Sequence, residues 1–203
     1  MIGLCLGAVV VDAASRPSVT PITLAVVAPR DVSDSLVNRI CTEAEAIWGP
    51  TGIAFEWDRH ESTTRAGRWT IEVTIDDRHA PDGRDGALGW VLFTTEGAES
   101  SLHLSRASAE ALLRNTPGMS APTIFSHEAL IGRALGRALA HEFGHYIFQS
   151  GVHTLRGLMR AGLTSDEIFR LDRDGFELTS QERATAAGRL WIALSLNSNA
   201  PRV

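Results

Sequence analysis

From Thr20 onward the apolar residues of the chain follow two rhythms by turns, one of period two and one near 3.6, with short polar connections between them. Pro21 to Ala28 (PITLAVVA) reads as a strand closed by Pro29. Asp31, Ser33 and Asp34 offer N-caps for a helix whose apolar residues Leu36, Val37, Ile40, Ala44 and Ile47 share one face, and Gly49-Pro50 stops it. Ile53 to Trp57 (IAFEW) and Thr70 to Ile75 (TIEVTI) alternate as strands, separated by a polar loop holding His60 and Arg65. Ala87 to Phe93 (ALGWVLF) is an apolar strand behind the loop Asp82-Gly83-Arg84-Asp85-Gly86, and Gly89 within it marks a bulge or a close backbone approach. Ser101 to Ser105 is a short strand, Ser108 to Arg114 a short helix, and Asn115-Thr116-Pro117-Gly118 a turn.

The longest helical run follows. Ser126 offers its cap, Glu128 suits the positive end of its dipole, and Leu130, Ile131, Ala134, Leu135, Ala138 and Leu139 form a stripe for burial. Arg133 and Arg137, one turn apart, are expected on a solvated face. Beyond residue 150, Thr164 with Glu167 and Thr179 with Glu182 are capping boxes that open two more helices, the last running to about Leu196. No repeat, low-complexity tract or long linker interrupts residues 14–203, so a single domain is expected there.

Composition narrows the function classes. With 19 Lys+Arg against 24 Asp+Glu and no basic run, the chain lacks the footprint of a nucleic-acid or anionic-membrane binder. Two cysteines, Cys5 and Cys41, are too few for a disulfide framework or a cysteine-only zinc module, so any zinc is left to nitrogen and oxygen ligands. Ile2 to Val11 (IGLCLGAVVV) is too short to span a bilayer but matches the apolar region of a secretory signal with a cleavage point near Ala13, although no basic residue precedes it. Residues 1–13 are therefore read as a signal peptide, implying a secreted or periplasmic protein, with a buried N-terminal strand as the other reading.

The chemistry sits inside the longest helix, where His141-Glu142-Phe143-Gly144-His145 forms an H-E-x-x-H motif. Histidines four apart stand on the same face, so two ring nitrogens converge on one tetrahedral ion while Glu142 projects beside them as general acid/base. A catalytic zinc takes three protein ligands and keeps an open position. His153, eight residues after His145 and just past Gly151, is the best candidate for the third. Gly151 suits a left-handed helix end; a helix running to about Gln149 overshoots His145 by ~6 Å, and the return to His153 covers ~10 Å. Glu167 is the alternative third ligand, which would make the site more like that of the gluzincins. His79, His103 and His127, like His60, read as structural or exposed, and Asp172-Arg173-Asp174-Gly175 lacks the acidic spacing of a calcium loop.

His141-Glu142-x-x-His145, His153 and Gly157-Leu158-Met159 together resemble the metzincin clan of zinc peptidases. The clan's fuller pattern has Gly three residues after the second histidine and the third histidine three beyond that; here those positions are Phe148 and Gly151. The resemblance implies an α+β zincin: a twisted mixed sheet of about five strands packed on two helices, one bearing the motif, over residues 20–150. A smaller, mostly helical subdomain would cover residues 151–203. It also implies one zinc ion per chain, a Met-turn at Met159 beneath the metal, and an extended substrate paired along Ala87, Leu88, Gly89, Trp90 and Val91. The expected activity is hydrolysis of peptide bonds in a peptide or protein by a monomer. The competing readings are a protein that retains zinc without hydrolysing anything, and a secreted interaction domain in which the motif is accidental.

Overall fold

The period-two segments become strands, and over residues 22–27 and 70–76 buried and half-exposed residues alternate. The computed structural model describes residues 22–59, 70–81, 86–119 and 123–198. The signal-peptide reading, Cys5 and His60 fall outside them. Strands β1 (Ile22–Val27), β2 (Phe55–Arg59), β3 (Thr70–Asp76), β4 (Gly89–Thr94) and β5 (Gly97–Ser105) form one sheet in the order β2-β1-β3-β5-β4. The β1–β2, β1–β3 and β3–β5 pairs are parallel, and β4 runs antiparallel to β5 with a register shift between Val91 and Phe93. Ile22, Leu24 and Val26, Ile71, Val73 and Ile75, and Leu102 and Leu104 point into the core.

Helix α1 (Asp34–Trp48) begins where Ser33 accepts a hydrogen bond from the Leu36 N–H. It lies against α3 (Ile124–Phe148), the motif helix, which is capped by Thr123 and not by Ser126. Close approach is built into α3: an added Cβ at Gly136 would lie 2.5 Å from Glu43 Cβ and 2.8 Å from the Ile40 carbonyl oxygen. Trp48, fully buried, donates from Nε1 to the Ala140 carbonyl at 3.0 Å and meets Phe143 edge-on. Helix α2 (Arg106–Arg114) precedes α3, and α4 (Ser165–Phe169) and α5 (Ser180–Ser198) follow it. Both capping boxes form: Thr164 and Glu167 exchange hydrogen bonds at the start of α4, and Thr179 and Glu182 at the start of α5.

The solvated face expected for Arg133 and Arg137 is not what the fold gives them. Arg137 is 1% exposed. Its Nε donates to Glu43 Oε1 at 2.9 Å, and its Nη groups donate to the carbonyls of Glu167, Ile168 and Asp172, with the guanidinium over the Phe176 ring. Arg133 donates to the Phe169 carbonyl at 2.6 Å. The reason is satisfaction of backbone: the turns around α4 leave carbonyls that need donors, and a planar guanidinium supplies several at once. Glu43 also accepts from Arg173, so the run Asp172 to Gly175 belongs to this clasp.

Candidate metal centre

Helical spacing brings His141 and His145 onto the face of α3 that looks toward β4, and backbone carbonyls set their tautomers. His141 Nδ1 lies 2.8 Å from the Leu158 carbonyl oxygen and His145 Nδ1 lies 2.7 Å from that of Ser150. A carbonyl only accepts, so each Nδ1 carries the proton, and a neutral ring then keeps its lone pair on Nε2. Those two Nε2 atoms face each other at 3.0 Å. Two lone pairs do not attract one another; a cation between them resolves the arrangement. Tetrahedral Zn–N bonds near 2.0–2.1 Å place ligand nitrogens about 3.3 Å apart, close to the separation here.

His153 completes the cluster. Its ring centroid lies 5.2 Å from that of His141 and 4.8 Å from that of His145, and one ligand atom from each of the three lies within 4.8 Å of the others. The donor set, three neutral-capable imidazoles with no thiolate, fits zinc. Burial pushes the His141 ring down to about 4, against the smaller opposing pull of the Leu158 carbonyl, so it is neutral and ready to ligate at ordinary pH.

The chain reverses earlier than Gly151. Gln149 takes the left-handed conformation (φ 50°), and its N–H and that of Ser150 close onto the last turn of α3. Its side-chain amide offsets the absence of glycine: Oε1 accepts from the Ala98 N–H at 2.9 Å and Nε2 donates to the Tyr146 carbonyl at 2.7 Å. The reversal lies four residues after His145, and His153 four beyond it, one more on each side than in the metzincin pattern. The loop then returns through Thr154, whose N–H donates to the Met159 carbonyl at 2.8 Å.

Met159 is 2% exposed, and its Sδ fills the space that a side chain at Gly144 would need. Neighbouring Leu158 supplies the carbonyl that orients His141. Glu142 is 8% exposed, and an added Cβ at Gly89 would lie 3.0 Å from its Cγ, so β4 passes directly over the acid/base candidate. Glu167 is directed elsewhere: its oxygens accept from Thr164 and Arg160, interactions that hold its carboxyl down to about 2.

A cleft of about 730 Å³ runs between β4 and α3 and includes all three histidines and Glu142. Gly86 to Gly89 and Val91 to Phe93 line its upper side. Ala87 and Leu88 precede β4 and Gly89 opens it, and no strand pairs with its outer edge among the described residues. Trp90 stacks on His103 at 5.1 Å, opposite the Val91 side that joins the core. His79 and His127 lie beside Ser108 and Glu110, away from the triad. Sequence reading missed Arg137, Gln149, Leu158 and Ser150 as supports of the site, because two act through bare carbonyls and the others through partners distant in the chain.

No protein-family model matches the sequence. No curated protein matches it either. Among solved structures, the fold is similar to that of the archaemetzincin from Methanopyrus kandleri, at TM-score 0.51 and 16% identity, over 90% of this chain and 99% of that one. The likeness is one of fold: a five-stranded mixed sheet with five helices among the described residues, in the architecture of archaemetzincin.

Proposed function

We propose that the chain is a zinc-dependent endopeptidase in which His141, His145 and His153 hold one ion and Glu142 is the general acid/base. The observation that carries this reading is the pair of Nε2 atoms facing each other at 3.0 Å, with both Nδ1 atoms held by carbonyls and His153 beside them. Zinc, when bound there, supplies Lewis-acid polarisation of the scissile carbonyl and a water of near-neutral pKa. Glu142, one residue along from His141 and under β4, takes the proton of the attacking water at its carboxylate and delivers it to the leaving nitrogen. Ala87 and Leu88 and the edge of β4 from Gly89 to Val91, which no strand pairs among the described residues, receive an extended peptide by strand addition, which lays its backbone along the cleft. Met159 fills the floor against Gly144 and keeps Leu158 in place to orient His141. The apolar N-terminal run supports export of the protein.

Metal content and turnover test this directly. The parent is expected to bind one zinc per chain, and His153→Ala to bind it far more weakly. Glu142→Gln is expected to keep zinc and lose hydrolysis of a mixed peptide library. Turnover at parental rate in Glu142→Gln would overturn the mechanism, and a parent without stoichiometric zinc would overturn the reading.

A further inference from the structure

Gly151, placed by its spacing at the end of α3, has no backbone reason to be glycine. The left-handed residue at that reversal is Gln149, and Gly151 is not among the glycines of positive φ. Crowding does not require it either. Among the described residues an added Cβ would meet only the Phe93 ring, 3.6 Å from Cε2 and 3.9 Å from Cζ, which is ordinary contact. Gly151 and Phe93 both line the cleft, together with His153. The glycine therefore leaves open the space beside that ring. Phe93 is 43% exposed, and Val152, next to Gly151, is exposed as well. The register shift between Val91 and Phe93 interrupts the alternation of β4, and Val91, Leu92 and Phe93 all line the cleft. The fixed charges of the lining lie elsewhere: Arg137 and Arg160 meet at Glu167, and Glu142 lies beneath Gly89.

Resting on the peptidase reading, we infer that Phe93 and Gly151 form a subsite for a large apolar side chain on the N-terminal side of the cut bond. Glu142 fixes the side. It hands its proton to the leaving nitrogen, so the amine half of the peptide lies toward Gly89, above Glu142, and the acyl half toward Phe93. Phe93 stands four residues beyond Gly89, about 13 Å of strand. A peptide laid along β4 therefore brings the third or fourth residue before the cut bond to the ring, and alternation lets one of the two face it. Leucine or phenylalanine there covers the exposed ring and occupies the space that Gly151 leaves; alanine is too short to do either. Lysine or aspartate gives up hydration and finds no opposite charge in the lining at this end.

The test uses the zinc-loaded full chain and capped, fluorescent peptides carrying Leu, Phe, Ala, Lys or Asp at each position before the cut bond. Cleavage sites are read by mass spectrometry, binding to Glu142→Gln by anisotropy, and zinc content is measured for every variant. At one of the two positions Leu or Phe is expected to surpass Ala by about ten-fold in both binding and kcat/KM, the scale of burying a large apolar side chain. Gly151→Val puts a branched side chain into the gap and is expected to bring Leu, Phe and Ala to parity. Because Gly151→Val also strains the loop that carries His153, Phe93→Ala serves as the second variant and is expected to do the same with zinc retained. Zinc binding and cleavage with no apolar preference at either position, with a preference for Lys or Asp there, or with an apolar preference unchanged in Phe93→Ala would overturn the subsite while leaving the peptidase reading intact. Sedimentation showing a dimer that Phe93→Ala dissociates would assign the ring to an interface between copies and overturn the subsite too. Absence of zinc or of any cleavage would overturn both.

Discussion

His141 shows how the fold prepares one ring for the ligation proposed above. Its ordinary value of 6.5 falls to about 4 in the folded chain because burial disfavours the imidazolium. Between those values the unfolded chain takes up a proton that the native, metal-free chain refuses, so stability is fully present above pH 6.5 and declines as pH drops toward 4. The slope from this group is about 1.4 kcal/mol per pH unit at most. Urea titrations of metal-stripped protein at pH 7 and 5 are expected to show the loss, and His141→Asn to flatten it. Gly144 is constrained just as locally. A methyl group there runs into Met159 Sδ, so Gly144→Ala is expected to cost about 1–3 kcal/mol in the same titrations, with Met159→Ala in the double variant recovering part of it. The ligand spacing itself is legible in sequence because a four-residue interval converts directly into one helix face. The orienting carbonyls of Leu158 and Ser150 are not legible, since every residue has one and only the fold says which is aimed at a ring.

Among the elements, α3 does most to build the site, and its course is legible in sequence while its capping residues are not: Thr123 and not Ser126 caps its start. Apolar periodicity gives its course and its buried stripe, because those depend on local spacing alone. Its C-terminal reversal is assigned by sequence to Gly151, the residue with least steric objection to positive φ. The fold puts it at Gln149, where the amide reaches the Ala98 N–H on β5, 51 residues away. Arg137 repeats the lesson: one-turn spacing from Arg133 suggests solvent, but its partner Glu43 is 94 residues distant and invisible to any local pattern. Removing one member of that buried pair strands the other. Arg137→Met is expected to destabilise the protein by about 3–5 kcal/mol in equilibrium denaturation, and adding Glu43→Leu to recover much of the loss. The two capping boxes lie at the other extreme, fully legible, because both partners sit within four residues.

At the scale of the whole molecule, the strands and the helix order follow from alternation and short connections, while the sheet order and the antiparallel edge at β4 depend on pairings no single segment encodes. The described residues contain no helix long and apolar enough to cross a membrane. Two of the three histidines ride on a helix packed into the core, and the third stands on an exposed return loop flanked by Val152 and Leu155, themselves 76% and 94% exposed. On the three-histidine zinc reading proposed above, metal exchange has an order: detachment of His153 would precede detachment from the rigid pair. A competing chelator meets a half-opened site, and its removal rate depends on how firmly Thr154 pins the loop to Met159. Substituting Thr154→Pro, which deletes that N–H, is expected to speed zinc loss to a colorimetric chelator while changing thermal stability of the metal-free chain little. On the same reading, this asymmetry would make the exposed loop the molecule's timer, since how long a chain stays loaded after leaving a zinc-rich medium would be decided at its surface and not in its core.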